Sequence, residues 1–276
     1  MALALAEAYS PVVDQPFNTE SFTKELEGNG KIDWSRGKKT VYVTTIDTTG
    51  TVVAHDRTAT YAQKIAAIKN TNSTKKAYTL TQEFDIRQHI DKVDLAQNGA
   101  ITAGGIVLKA ITVEQLIPQI DAYRLSVLSG VAAATGQEIT ATADGYADLL
   151  KADAFLVNAR LDSTKKLLYV NSTTADTIRL SDHFVPHTQG LEKSMRTGVI
   201  GKVNGATVKV VPADLLATNV GGILVNPEVV SAPRFLDDAK VTTPSADFGA
   251  LIIGLYVYDC FVLEAKNKGV SVIKTA

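Results

Sequence analysis

Apolar and polar positions repeat with different periods along this chain, and each change of period marks a change of element. From Thr40 to Ile46 the residues are β-branched or aromatic, with Val41, Val43 and Thr45 facing one way and Tyr42, Thr44 and Ile46 the other. That two-residue period predicts a strand, broken by Thr48-Thr49-Gly50. Ala77 to Ile86 predicts a second strand, and about thirty mostly polar residues, including Asn70-Thr71-Asn72-Ser73, lie between the two. The pair reads as a long two-stranded arm with a broad tip. An isolated two-stranded ribbon is marginal in water, so it needs a partner surface. From Ile106 to Ala134 the period becomes three or four. Ile106, Ala110, Val113, Ile117, Ile120, Val127 and Val131 draw one helical stripe, and Lys109, Thr112, Gln115, Gln119 and Ser126 fall outside it. At 1.5 Å per residue this helix reaches roughly 40 Å. Pro118 interrupts it: it has no N–H for the carbonyl of Glu114 and its ring crowds that carbonyl, which predicts a kink or two abutting helices.

After the long helix the pattern turns α/β. Asp144 to Asn158 predicts a helix with Tyr146, Leu149, Leu150, Ala154 and Val157 on one face. Lys166 to Val170 predicts a short buried strand, and Ala175 to Ser181 a helical turn. Val199 to Val211 predicts a hairpin around Asn204-Gly205, the dipeptide favoured by a type I′ turn because both residues tolerate positive φ. Gly222 to Val225 predicts a buried strand followed by a helix start at Asn226-Pro227-Glu228. The β-rich run from Phe248 to Ala265 and the last short strand, Val270 to Ile273, flank a turn at Asn267-Lys268-Gly269. They are expected to pair as antiparallel neighbours and to pack on the long helix. Before the ribbon, residues 1–37 are broken by Pro11, Pro16, Gly28, Gly30 and Gly37, leaving a short helix around Thr19 to Leu26 within an extended arm.

Charge adds a contrast between the two extended segments. The arm carries six acids (Glu7, Asp14, Glu20, Glu25, Glu27, Asp33) and three bases (Lys24, Lys31, Arg36), a net of −3. Lys38 to Lys92 carries nine bases (Lys38, Lys39, Arg57, Lys64, Lys69, Lys75, Lys76, Arg87, Lys92) and five acids (Asp47, Asp56, Glu83, Asp85, Asp91), a net of +4. Over all 276 residues the net charge is −1, which argues against a dedicated nucleic-acid binder. The single cysteine, Cys260, excludes an intrachain disulfide. No run approaches the roughly 18 apolar residues of a membrane span. MALALAEAYS lacks basic residues and is too short for a secretory signal, so the chain is expected in a cytosol.

The sequence offers no enzymatic constellation. Gly104-Gly105 lacks the Gly-Lys-Ser/Thr of a P-loop, and Gly28-Asn29-Gly30 neither follows a strand nor opens a helix. Asp47-Thr48-Thr49-Gly50 has one residue too many for the Asp-Thr-Gly of aspartic proteases and reads as a strand-end turn. There is no Gly-x-Ser-x-Gly elbow. His183 and His187 have the spacing of metal ligands on a helix, but Pro186 stands between them and the segment reads as surface loop. His55 and His89 have no partner motif, and Cys260 reads as a buried structural thiol. No catalytic residue, cofactor or metal is expected.

The segments VYVTTIDTTG, HDRTATYAQ, KAYTLTQEFDIRQHIDKVD and IPQIDAYRLSVLSGVA, in that order, resemble the major capsid proteins of tailed bacteriophages, of the type found in phages of Gram-positive bacteria. The resemblance is strongest from Thr40 to Ala134 and continues in pattern through RTGVIGKVNGATVKVVP. It implies an α+β, HK97-like capsid fold (after Hong Kong 97). Residues 1–37 would be the N-terminal arm, 38–92 the extended β-ribbon or E-loop lying over a neighbouring subunit, 93–135 and 248–276 the P-domain with its spine helix, and 136–247 an α/β A-domain. It further implies a self-assembling icosahedral head built of pentamers and hexamers. That shell would enclose double-stranded DNA without sequence-specific binding, form in the host bacterial cytoplasm, and end in the virion with a portal at one vertex. A separate scaffolding protein is expected, since only 37 residues precede the ribbon. Lys64, Lys69, Lys75 and Lys76 could supply a crosslinking lysine, but no partner asparagine is marked and no crosslink is expected. The expected contacts between subunits join Lys38, Lys39, Arg57, Lys64, Lys69, Lys75 and Lys76 of one ribbon to Glu20, Glu25 and Glu27 of another subunit's arm. Pro118 is expected to bend the spine to the curvature of the shell. An encapsulin-type compartment shell, and a small-molecule-binding α/β protein, are the alternative readings.

Overall fold

The computed structural model describes residues 21–27, 32, 34, 39–47, 55, 57–66, 72–91, 104–161, 165–180, 185–186, 199–242 and 249–275. The chain divides into two compact units, Ile32–Leu80 and the remainder, Met1–Lys31 with Thr81–Ala276.

The smaller unit is built on an antiparallel ribbon of β1 (Thr40–Asp47) and β2 (Asn72–Thr79), paired from Thr40↔Thr79 to Asp47↔Asn72. The two-residue period holds in β1 from Val41 to Thr44: Val41 and Val43 are half-buried and Tyr42 and Thr44 exposed, while Thr45, expected on the face of Val41 and Val43, is exposed like Ile46. β2 starts earlier than its polarity suggests, taking in Asn72 and Ser73. A ladder with six exposed residues in a row, from Asn72 to Ala77, demands no apolar face, so backbone pairing alone decides its length. Between the strands lies α1 (Tyr61–Ala66). Its N-terminus is closed by Thr60 and Gln63: the Gln63 Oε1 accepts from the Thr60 N–H at 2.9 Å and from its hydroxyl at 3.0 Å.

The expected strand from Ala77 to Ile86 is two strands. β3 (Gln82–Asp91) belongs to the larger unit, where it pairs with β12 (Gly249–Tyr258). β12 in turn pairs with β11 (Arg234–Thr242), giving a three-stranded antiparallel sheet in the order β11-β12-β3.

The long helical stretch is likewise composite. It comprises α2 (Gly104–Ile111), a π-helical turn (Thr112–Leu116) and α3 (Ile117–Ala134). The Ile117 N–H bonds to the Thr112 carbonyl, five residues back, immediately before Pro118. Widening this turn removes the demand for the bond to residue i−4 that proline cannot make. The extra residue also turns the face that follows. The fully buried line on α3 runs through Ile120, Asp121, Arg124, Leu125, Leu128 and Ala132, while Val127 and Val131 are only half-buried.

Among the described residues, the largest sheet has seven strands: β4 (Glu138–Thr140), β5 (Lys166–Val170), β6 (Val185–Pro186), β7 (Val199–Val203), β8 (Ala206–Val210), β9 (Val220–Val225) and β14 (Val270–Lys274). Their order is β4-β14-β9-β5-β8-β7-β6. The β7–β8 hairpin turns through Asn204 (φ 47°) and Gly205 (φ 77°), both positive as a type I′ turn requires. One face of this sheet packs on α3. Leu167, Tyr169, Ile223, Val225, Val270 and Val272 meet Leu125, Leu128 and Ala132 there. The other face packs on α4 (Gly145–Asn158) and α5 (Ser172–Arg179), through Leu168, Val170, Leu224 and Ile273 against Leu149, Ala152, Leu156, Ala175 and Ile178. Strand alternation sends successive residues of β5 into opposite cores, so all five of its residues are buried.

The two C-terminal β runs do not pair with each other. β12 joins the three-stranded sheet and β14 the seven-stranded one. Between them the chain makes β13 (Phe261–Val262), which pairs with β10 (Val230–Ser231), and a 3-10 segment, Glu264–Gly269. That interruption is too long for a tight hairpin and carries the last strand to the other sheet.

Candidate functional site

One turn of α3 holds two charged side chains inside the protein. Asp121 is 1% exposed and Arg124 is fully buried. Both reach residues 21–27, about a hundred positions earlier. Asp121 Oδ1 accepts from the hydroxyls of Ser21 (2.5 Å) and Thr23 (2.6 Å), and Oδ2 accepts from the Phe22 N–H (2.9 Å). Arg124 Nη1 donates to the Thr23 hydroxyl at 3.0 Å and to Glu27 Oε1 at 2.9 Å. Its Nη2 donates to the Ala232 carbonyl at 3.1 Å. Lys209 on β8, equally buried, donates to the Phe22 carbonyl at 3.1 Å and pairs with Glu25 at 2.8 Å. The segment has almost no regular structure of its own, one 3-10 turn over Lys24–Leu26, and Leu26 is fully buried in the core beside Leu125 and Leu128. Residues 21–27 are thus a strap, held by an acid, two cations and one apolar plug. Burying these charges is tolerable because Arg124 and Lys209 are ion-paired and Asp121 accepts three hydrogen bonds.

A second carboxylate gathers the other junction. Asp259, 2% exposed, follows the end of β12. Its Oδ2 accepts from the Thr81 N–H (2.9 Å) and hydroxyl (3.0 Å), and its Oδ1 accepts from the Tyr123 hydroxyl (2.8 Å) and the Cys260 N–H (2.7 Å). Tyr123 stands edge-on to Tyr258, with ring centroids 5.6 Å apart. Burial, then the bond to Asp259, pushes the Tyr123 hydroxyl up to about 12. Burial pushes the Cys260 thiol up to about 12, so it stays protonated and inert at neutral pH. Tyr169, beneath Lys209, is raised well above the usual phenol value, first by burial and then by the Glu25 and Asp121 carboxylates.

The residues expected at subunit contacts fall into separate places. Lys39 lies at the base of the ribbon, and its carbonyl accepts from the Leu80 N–H at 2.9 Å. Arg57 and Lys64 are exposed in the connection between the ribbon strands. Lys75 and Lys76 are exposed on opposite ribbon faces, across from Thr44 and Val43, and the Lys76 ammonium lies 5.9 Å from the Tyr78 ring centroid. Glu20, Lys38 and Lys69, like His183 and His187, lie outside the described residues. Glu25 and Glu27 are occupied within the chain: Glu25 by Lys209, Glu27 by Arg124 and by Arg234 at 3.4 Å, none of them a ribbon residue. Pro118 is exposed, at the second position of α3. Sequence reasoning quoted Asp121, Tyr123 and Arg124 only as part of a resemblance and passed over Lys209 and Asp259. Asp and Arg at i and i+3 among apolar neighbours was the available sign, because charges on a core-facing turn must have partners.

Among the described residues there is no group of His, Cys, Asp and Glu that could hold a metal ion, and no helix long and apolar enough to cross a membrane. The arrangement holds residues 21–27 and the start of β3 in place.

This architecture is an α+β, HK97-like fold, shared with phage capsid structures along nearly the whole chain. The capsid structure of cyanophage P-SCSP1u is similar over 99% of this chain and 93% of its own, with a TM-score of 0.70 at 13% identity. The asymmetric unit of the bacteriophage PhiM1 mature capsid gives 0.68 at 13% identity over 99% and 92%. A structure from Mycobacterium phage Che8 gives 0.61 at 17% identity over 98% and 96%. No family model matches the sequence, and no curated protein does.

Proposed function

We propose that this chain is a major capsid protein, a structural and non-enzymatic subunit of the icosahedral head of a tailed phage. The observation that carries the reading is the end-to-end likeness to capsid structures, which leaves neither chain with a large unmatched part. In this reading the copies form pentamers and hexamers, enclose double-stranded DNA without sequence-specific contacts, and assemble in the host cytoplasm with a portal and a separate scaffolding protein. Quasi-equivalent positions ask one chain for a rigid core and adaptable extensions. A ribbon that forms a compact unit of its own, and a second unit that holds the main hydrophobic cores, fit that demand. Its exposed Tyr42 and Ile46, with Lys75 and Lys76, supply apolar and basic contact surface toward a neighbouring subunit. The proline and π turn at 112–118 give the spine a point of bending. A net charge of −1 avoids strong repulsion among many copies.

Electron microscopy of the purified protein, alone and with the neighbouring gene products, tests the reading. Closed icosahedral shells are expected. A monomer under all conditions would overturn it, and shells filled with an enzyme instead of DNA would favour a protein compartment.

A further inference from the structure

The chain passes from one compact unit to the other between Leu80 and Thr81. The bonds at this crossing leave no slack. Leu80 closes the ribbon by donating its N–H to the Lys39 carbonyl. The next N–H, that of Thr81, donates to the buried Asp259 carboxylate, and the Thr81 hydroxyl donates to the same oxygen. One residue later Gln82 begins the β3–β12 ladder opposite Tyr258. The other carboxylate oxygen is held by Tyr123 on α3 and by the Cys260 N–H, and the Asp259 N–H donates to the Pro233 carbonyl at 3.2 Å. Asp259 therefore accepts four hydrogen bonds, from the first residue of the unit after the crossing, from its helix and from its own strand end.

We propose that Asp259 is a positioning residue that pins the root of the ribbon. It fixes Thr81, the first residue of the larger unit after the crossing, so that β3 enters its ladder with β12 in one register. A carboxylate suits this role because it accepts from donors on both oxygens at once, and bonds to a charged acceptor are about twice as strong as neutral ones. Asparagine cannot replace it. With its oxygen toward Thr81, the amide group faces the Cys260 N–H; turned round, it faces the Thr81 N–H. One backbone donor loses its acceptor either way. The pin stands on this geometry alone; its consequence for assembly rests on the capsid reading.

The test is amide hydrogen exchange on the full chain, comparing wild type with Asp259→Asn and Thr81→Ala. In Asp259→Asn the amides from Thr81 to Phe84, or that of Cys260 where the side-chain oxygen stays toward Thr81, should exchange roughly ten- to a hundred-fold faster, the effect of losing a charge-assisted bond to a buried group. The strands Thr40–Asp47 and Asn72–Thr79, and helix Ile117–Ala134, should stay within about twofold of wild type. Thr81→Ala, which removes only the hydroxyl's bond to Asp259 and the one it accepts from Gln82 Nε2, should give the same local pattern at roughly threefold to tenfold. It decides the matter if Asp259→Asn does not fold. Unchanged exchange at both Thr81–Phe84 and Cys260, or acceleration spread evenly over the chain, would overturn the pin. Particles of Thr81→Ala viewed by electron microscopy should include fewer closed shells than wild type. If wild type itself forms none, the capsid reading fails while the exchange data still decide the pin.

Discussion

Replacing Asp121 by alanine tests the strap directly. The carboxylate accepts three bonds from Ser21, Phe22 and Thr23, all within 2.5–2.9 Å. Without it, the Ser21 and Thr23 hydroxyls, 3.3 Å apart, can satisfy one another in part. The Phe22 N–H and one hydroxyl proton remain without an acceptor. At about 1–3 kcal/mol for each of these two unsatisfied buried groups, the expected loss is about 2–6 kcal/mol. That is a large fraction of an ordinary domain's stability of about 5–15 kcal/mol. The loss is capped by the free energy of docking residues 21–27, since the strap can detach while the sheet and helices persist. Asp121→Asn should cost about 1–2 kcal/mol, because its amide can donate to the two hydroxyls while its oxygen accepts from Phe22. Urea denaturation measures the total, and amide exchange at residues 21–27 tells detachment from general weakening. If Asp121→Ala lies within about 0.5 kcal/mol of wild type, as an ordinary surface change would, and the strap's amides are unaffected, the strap is not held as described.

Between pH 9 and 12 the Cys260 thiol ionises in the unfolded chain but not in the folded one, where it is pushed from 9.0 to about 12. The unfolded state then binds fewer protons, so stability should fall as pH rises through that window, and Cys260→Ala should flatten the slope in alkaline denaturation curves. In the native state at pH 8 the thiol should react with iodoacetamide far more slowly than in urea; equal rates would contradict its burial. Charge reversal of Lys75 and Lys76 to Glu should reduce shell formation, and more so at low salt than at high, as judged by sedimentation and microscopy; normal particles at every salt concentration would remove these residues from the contact. Pro118→Ala should change subunit stability by less than about 1 kcal/mol, since Pro118 is exposed in the first turn of its helix, yet broaden the size distribution of shells.

The elements with a strong local period were legible in the sequence. β1, the Asn204-Gly205 hairpin and the long helix need only neighbouring residues to define them. What was not legible depends on distant partners. Leu80 and Thr81 look like the middle of one strand, and only Asp259, 178 positions later, explains the break. The last two β runs look like a hairpin, but β14 finds β9 and β4 instead. The helical stripe holds at Val113 and Ile120 but lies one position off at Val127 and Val131, because apolar spacing alone leaves out Asp121 and Arg124, which share the buried face with Leu128 and Ala132. Likewise Glu25 and Glu27 read as solvent charges for another subunit, since nothing near them in sequence names Lys209 or Arg124 as partners. The capping pair Thr60 and Gln63 was readable from its spacing and was not used.

An apolar anchor would hold residues 21–27 at least as firmly. Replacing buried ion pairs by well-packed apolar groups is often neutral or stabilising, so stability alone does not account for Asp121, Arg124 and Lys209. Register does. The strap is seven residues with one apolar plug, Leu26, and Phe22 half-buried beside the same core. Shifted by four residues, Phe22 could occupy the place of Leu26 with little change in apolar burial. Such a slip would take Ser21, Phe22 and Thr23 away from Asp121, Thr23 and Glu27 away from Arg124, and Glu25 away from Lys209, leaving buried charges without partners at several kcal/mol each. Asp121 reads three consecutive residues, Ser21, Phe22 and Thr23, through two hydroxyls and one N–H, and Lys209 reads the Phe22 carbonyl. No other stretch of three residues in 21–27 offers that sequence of donors. The same logic applies at Asp259, where a carboxylate selects Thr81 by its paired N–H and hydroxyl. On the capsid reading, a subunit that presents the same arm and the same ribbon root in many copies gains more from such fixed registers than from additional burial.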